Sequence, residues 1–319
     1  MVDIGALQGV WNIVPTPFND DASLDGPSIR TLTDFVIDRG VDGMTILGVM
    51  GEAARLSDIE RSVVLNTAIE QANGRLPVCV GVSHAATDRA VAYAREAQHA
   101  GAHAVMLAPP ALARPNDAAV RRHYFAVAEA IDLPIVVQDH PPSSGVWMTV
   151  EFLASLAEET TKCRVVKLED EPSPPKIERL LAADPEVRIL GGLGAIMLLE
   201  ELHRGAHGTM TGFGFPEVLV DIVRRYRSGD VDGATEIFYR TTPLIRFENQ
   251  PGLNLAIRKR IYQLRGAIAS ARVRAPGGGL DPGTSGELDD ILARLGLIGP
   301  TPDGATGPAA GVPAAGVPG

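Results

Sequence analysis

Eight short apolar runs recur along the first two thirds of the chain, with room for one amphipathic helix between most of them. The runs are "VWNIVPTP", "GMTILG", "PVCVGV", "AVMLAP", "PIVVQD", "RVVKLE", "VRILGG" and "GTMTGF". Between them lie stretches such as "SIRTLTDFVIDRG", "SDIERSVVLNTAIEQANG", "TDRAVAYAREAQHAG" and "DAAVRRHYFAVAEAI". Ser57, Thr87 and Asp117 are placed to cap helix starts, and Gly40, Gly74 and Gly101 to end helices. Strand and helix in alternation predict an α/β fold, a (β/α)₈ TIM barrel with a C-terminal helical extension. The alternative is a doubly wound open sheet. Its Gly-rich fingerprint after the first strand is missing, since that turn reads "PTPFNDDASLDG".

Past about residue 215 the strand pattern stops. "PEVLVDIVRRYRSGD", "DGATEIFYRTTPLIRFEN", "LNLAIRKRIYQLRGA" and "ELDDILARLGL" read as helices. The expected division is a barrel over 1–215, a helical region over 216–297 and a tail over 298–319. That tail is rich in Pro, Gly and Ala with almost no charge, so disorder is the expectation.

The net charge of −10, without a basic stripe, excludes nucleic acid and an anionic membrane as partners. Two distant cysteines, Cys79 and Cys163, exclude a disulfide scaffold and a thiolate zinc site, and fit a reducing cytoplasm. The first residues lack the pattern of a signal peptide, and no segment reaches the roughly 18 apolar residues a membrane span needs. His203 and His207 lie four apart with Gly205 between them, and no HExxH occurs, so no metal site is expected. No cofactor fingerprint is present either.

Within "RVVKLED", Lys167 follows two valines in an apparently buried strand. An unpaired ammonium there costs several kcal/mol, roughly, unless it is paired or deprotonated. One reading ends the strand at Val166 and lets the lysine snorkel to water. The other uses the barrel: active sites gather at the C-terminal strand ends, where a desolvated lysine can attack a carbonyl and form a Schiff base.

"PTPF" at the first strand, "GVMGEAARLSDIER" after the second, "LPIVVQDHPPSSG" at the fifth and "VVKLED" at the sixth resemble one family. It is the dihydrodipicolinate synthase/N-acetylneuraminate lyase family of Schiff-base-forming class I aldolases and lyases, over about residues 8–296. The resemblance implies a barrel with a helical C-terminal part, a tetramer or dimer, no cofactor, and a 2-oxo acid such as pyruvate held as an imine on Lys167. Departures are specific. The usual hydroxyl-bearing turn is Gly48-Val49-Met50-Gly51-Glu52, the strand-five tyrosine is Gln138, and the usual Pro-Gly-Arg-Thr segment reads Pro141-Pro142-Ser143-Ser144. The tyrosine expected after the fourth strand is absent from "APPALARP". An amide cannot shuttle protons as a phenol does, so the lysine-pathway synthase reaction is not expected.

Candidates to replace the missing relay are Glu169, Asp139 and His140, with Gln138 orienting a water. Gln138 and His140 share one strand face, as do Lys167 and Glu169. Val49, Met50, Gly192 and Gly212 are candidate substrate contacts. Asp139 is also placed to cap a turn, Glu52 to hold its turn through backbone amides, and His84 to sit at the third strand's end. Two functions follow: a Schiff-base aldolase or dehydratase for a 2-oxo acid, or a catalytically silent relative that senses a small metabolite.

Overall fold

The computed structural model describes residues 4–300 and 306–308. Eight parallel strands close into a barrel in sequence order: β1 (Gly9–Ile13), β2 (Gly43–Ile46), β3 (Val78–Gly81), β4 (Ala104–Leu107), β5 (Ile135–Asp139), β6 (Val165–Leu168), β7 (Arg188–Gly191) and β8 (Gly208–Thr211). β8 pairs back onto β1, so the sheet has no free edge. The helices around it are α1 (Gly26–Asp38), α2 (Asp58–Ala72), α3 (Thr87–Ala100), α4 (Asp117–Ala130), the short α5 (Pro141–Ser144), α6 (Val150–Glu159), α7 (Ser173–Ala183) and α8 (Leu198–His203). Four more follow: α9 (Pro216–Arg227), α10 (Val231–Glu248), α11 (Asn254–Leu264) and α12 (Pro282–Arg294).

Side-chain parity sorts each strand into two cores. Trp11, Ile13, Cys79, Ala104, Met106, Val136, Val165, Leu190 and Met210 fill the barrel interior. Val137, Val166 and Leu168 point outward into the layer beneath the helices. Gly43 has no side chain because the Trp11 indole occupies that space; an added Cβ would lie 2.4 Å from the ring.

Helix ends follow local chemistry. Ser57 caps α2 in a full capping box with Glu60, and Gly101 closes α3 in the left-handed region. Two expected caps shift by one residue. α3 begins after Ala86, with Thr87 bonded instead to His123 Nδ1 at 3.0 Å. Asn116, not Asp117, caps α4. At the tail, Ile298 is buried and Ile298–Pro300 pairs antiparallel with Thr306–Pro308, so the disorder expected from 298 does not hold for these residues. The rest of the tail lies outside the described residues. Among the described residues no helix is long and apolar enough to cross a membrane.

Candidate active site

Lys167 follows inward-facing Val165 by two residues, so its side chain enters the barrel at the C-terminal end of β6. It does not snorkel: the residue is 3% exposed. Its amine is ion-paired with the Glu169 carboxylate, which is the physical reason a lysine is tolerated there. Glu169 also accepts from Gln138 Nε2 at 3.1 Å and from the Leu193 backbone N–H at 3.2 Å. Gln138 stands opposite Lys167 in the β5–β6 register. Burial pushes the Glu169 carboxyl up, but the charges of Lys167 and His140 and the bonds from Lys167 and Gln138 outweigh it and hold the carboxyl below its usual range.

These groups line a cavity of about 480 Å³ together with Val49, Met50, Gly212, His140, Glu171, Asn249 and Arg258. Gly192 stands behind Glu169: a Cβ there would lie 2.4 Å from Glu169 Cγ, so only glycine lets the carboxylate reach the lysine. The turns after β2 and β7 hold Leu47, Glu52, Leu193 and Ala195 in the left-handed region, backbone strain gathered at the cavity. The N–H groups of Val49 and Met50, two residues on the cavity wall, have no protein acceptor among the described residues.

His140 lines the cavity, its Nδ1 2.7 Å from Ser143 Oγ. Burial lowers its pKa, opposed by Glu169, so the neutral imidazole is favoured near pH 7. Asp139 is placed elsewhere. It has the opposite strand parity, and its carboxylate meets Lys176 Nζ at 2.6 Å outside the barrel. Lys176 also binds Asp170 at 2.8 Å and the Met148 carbonyl at 2.6 Å. Asp139 is thus a strut between β5 and α7, and the expectation that it stands beside the reactive amine gives way. Glu52 corrects another detail. Its carboxylate takes Lys259 Nζ at 2.5 Å, Arg55 Nη1 at 2.6 Å and the Arg274 N–H at 3.0 Å, tying the β2 turn to the C-terminal region. His84 lines an adjoining chamber of about 350 Å³, which shares Val49, Met106 and Gln138 with the main cavity.

The chain has four lysines: Lys162, Lys167, Lys176 and Lys259. Lys162 is tied to the Ala128 and Ile131 carbonyls, Lys176 to Asp139, and Lys259 to Glu52. Lys167 alone lines the cavity.

Two groups escaped the sequence reading. Arg258, on α11, reaches the cavity from outside the barrel. It donates from Nε to Glu248 at 3.2 Å and from Nη2 to Asn249 at 2.8 Å. Burial pushes the Glu248 carboxyl up to about 7 against the pull of Arg258, yet its partners (Gly214 N and Arg258 Nε) are both donors, as a carboxylate requires. Glu201, on α8, lies behind Gly191, where burial pushes its carboxyl up to about 8. Among the described residues no group of three or more His, Cys, Asp or Glu is arranged to hold a metal.

Residues 6–295 match the Dihydrodipicolinate synthetase family. The chain belongs to that family. The L-2-keto-3-deoxyarabonate dehydratase of Azospirillum brasilense is 38% identical over 294 residues, 90% of this chain and 94% of that protein. The 4-hydroxy-tetrahydrodipicolinate synthase of Rhizobium meliloti is 29% identical, covering 92% of this chain and 99% of that one. The crystal structure of a dihydrodipicolinate synthase from Rhodopseudomonas palustris matches with a TM-score of 0.86 at 37% identity, over 91% of this chain and 98% of that one. A prophage protein of the dihydrodipicolinic acid synthase family from E. coli K12, solved in complex with pyruvate, matches with a TM-score of 0.86 at 26% identity, over 91% and 99%. Family enzymes act on small 2-oxo acids, and this chain is a Schiff-base-forming lyase among them, distinct from the lysine-pathway synthase.

Proposed function

We propose that the protein is a dehydratase that removes water from a hydroxylated 2-oxo acid bound as an imine on Lys167. The observation that carries this reading is the buried Lys167–Glu169 ion pair on the cavity wall, with Gln138 as its third member. Within that pair the proton has a short path. Glu169 takes it from the ammonium, the free amine adds to the C2 carbonyl, and Glu169 returns the proton to the departing carbinolamine oxygen. The resulting iminium acidifies C3, one bond from the imine carbon and so within the neighbourhood of Glu169. Removal of a C3 proton pushes out the C4 hydroxyl as water, and hydrolysis of the imine frees Lys167. Imine formation releases one water and hydrolysis consumes one, so the net change is loss of the C4 hydroxyl and a C3 hydrogen.

Aldol cleavage would instead need a base at the C4 hydroxyl, and the tyrosine that normally relays protons is Gln138 here. The Val49 and Met50 N–H groups serve the substrate carboxylate. The similarity to a keto-deoxy sugar acid dehydratase supports the same class of substrate. The enzyme works without a metal or an organic cofactor, as a cytoplasmic homo-oligomer, a tetramer or dimer. Ile59 and Val63, exposed one turn apart on α2, support an interface, and two buried free cysteines fit a reducing compartment.

The test is incubation with L-2-keto-3-deoxyarabonate in the presence of EDTA. The expected result is a product one water lighter. Release of pyruvate and an aldehyde would replace dehydratase with aldolase. Absence of both turnover and a trappable imine would favour the metabolite sensor.

A further inference from the structure

Arg258 Nη1 meets the Met50 sulfur at 3.2 Å, its only protein partner among the described residues. A thioether is among the weakest acceptors a side chain offers, and Arg donates five N–H bonds. Nε and one hydrogen of Nη2 are satisfied by oxygen; the Nη1 group faces a cavity with nothing better than sulfur. The guanidinium is fixed in that position. The residue is 4% exposed, gripped by Glu248 at the end of α10 and by Asn249, which caps that helix.

Charge narrows what Nη1 can receive. Each cation on the cavity wall already faces a carboxylate, Lys167 with Glu169 and Arg258 with Glu248, and Glu171 adds a further acid. The carboxylate next to the imine carbon is assigned above to the free N–H groups of the β2 turn, which have no protein acceptor among the described residues. A second carboxylate would enter a buried site without an uncompensated positive charge, which is costly. A neutral hydroxyl meets no such penalty.

Building on the imine reading above, we infer that Arg258 is the specificity-determining residue for the far half of the substrate. Its Nη1 group gives up the Met50 sulfur for a hydroxyl oxygen of a neutral, hydroxylated chain. The cavity thus selects monocarboxylic 2-oxo acids with hydroxylated tails over 2-oxo diacids. Sites built to bind a substrate hydroxyl discriminate strongly, because an analogue without it leaves a buried polar group unpaired.

The experiment uses the full chain and its Arg258→Lys and Arg258→Gln variants. Lysine keeps a cation for Glu248, which guards against loss of fold. Borohydride trapping of pyruvate, which has no tail, reports the imine; kcat and KM for L-2-keto-3-deoxyarabonate report the tail. Both variants should trap pyruvate as the parent does, while kcat/KM for the hydroxylated acid falls about 10- to 100-fold, chiefly through KM. Equal losses in both readouts, or no loss in either, would overturn the assignment. 2-Oxoglutarate should compete with pyruvate for trapping far less well than L-2-keto-3-deoxyarabonate does; equal competition would overturn the charge argument. If the parent protein traps no pyruvate, the imine reading itself fails and this inference falls with it, a result distinct from insensitivity of the variants.

Discussion

Replacing Glu169 by glutamine removes one charge and leaves the volume almost unchanged. The carboxylate accepts from Lys167 Nζ, from Gln138 Nε2 at 3.1 Å and from Leu193 N at 3.2 Å. A glutamine supplies one acceptor oxygen where two stood, and turns an N–H₂ group toward donors. Lys167 at 3% and the neighbouring Gln138 at 4% exposure cannot recruit bulk water to compensate. Removing one partner of a buried ion pair costs about 3–5 kcal/mol. For a domain of this size that is a fall in melting temperature of roughly 5–15 °C. The chemical loss is separable from the thermal one. A proton-transfer group contributes about 10²- to 10⁴-fold, so kcat at 25 °C should fall by that factor, while borohydride still traps the imine, which forms more slowly. Scanning calorimetry and turnover of L-2-keto-3-deoxyarabonate read the two effects. Near-parental kcat in Glu169→Gln would refute the shuttle, and imine formation at the parental rate would refute its part in making the imine.

Three further outcomes are expected. Glu201 is fully buried; Ser173 Oγ donates to its Oε1 at 2.7 Å, and its Oε2 has no partner. Its folded pKa is raised from 4.5 to about 8, so the native chain keeps a proton the unfolded chain has released. The stabilisation is complete below about 4.5 and is lost as pH rises to about 8, so the parent should lose more melting temperature between pH 6 and 9 than Glu201→Gln does. Lys176→Met leaves buried Asp139, whose Oδ1 already lacks a partner, without its cation, and should cost about 3–5 kcal/mol in denaturant unfolding. Gly192→Ala places a Cβ 2.4 Å from Glu169 Cγ, and should lower kcat in the same direction as Glu169→Gln by displacing the carboxylate.

How much of this was legible in the sequence depended on the range of the interaction. The eight strands and the inward lysine were readable because period-two parity and strand order are local. The same parity brought Gln138, Lys167 and Glu169 together, and applied one residue further it would have turned Asp139 outward. The strut to Lys176 that occupies Asp139 is 37 residues away and left no local trace. Arg258 was beyond reach for the same reason. "LNLAIRKRIYQL" reads as an ordinary amphipathic helix, and only the packing of α11 against Phe213 and Gly214, in the turn after β8, carries its guanidinium to a cavity made by the barrel. Glu52 showed in the sequence as a turn residue, but its partners Lys259 and Arg274 come from the far end of the chain. The capping box at Ser57–Glu60, confined to four residues, could be read directly.

Lys167 as the imine-forming residue is tested by mass mapping after borohydride reduction with pyruvate. With four lysines in the chain, the adduct can be assigned to one peptide. A single reduced adduct on Lys167, lost in Lys167→Ala, is expected. An adduct on Lys176 or Lys259, or trapping that persists in Lys167→Ala, would contradict it.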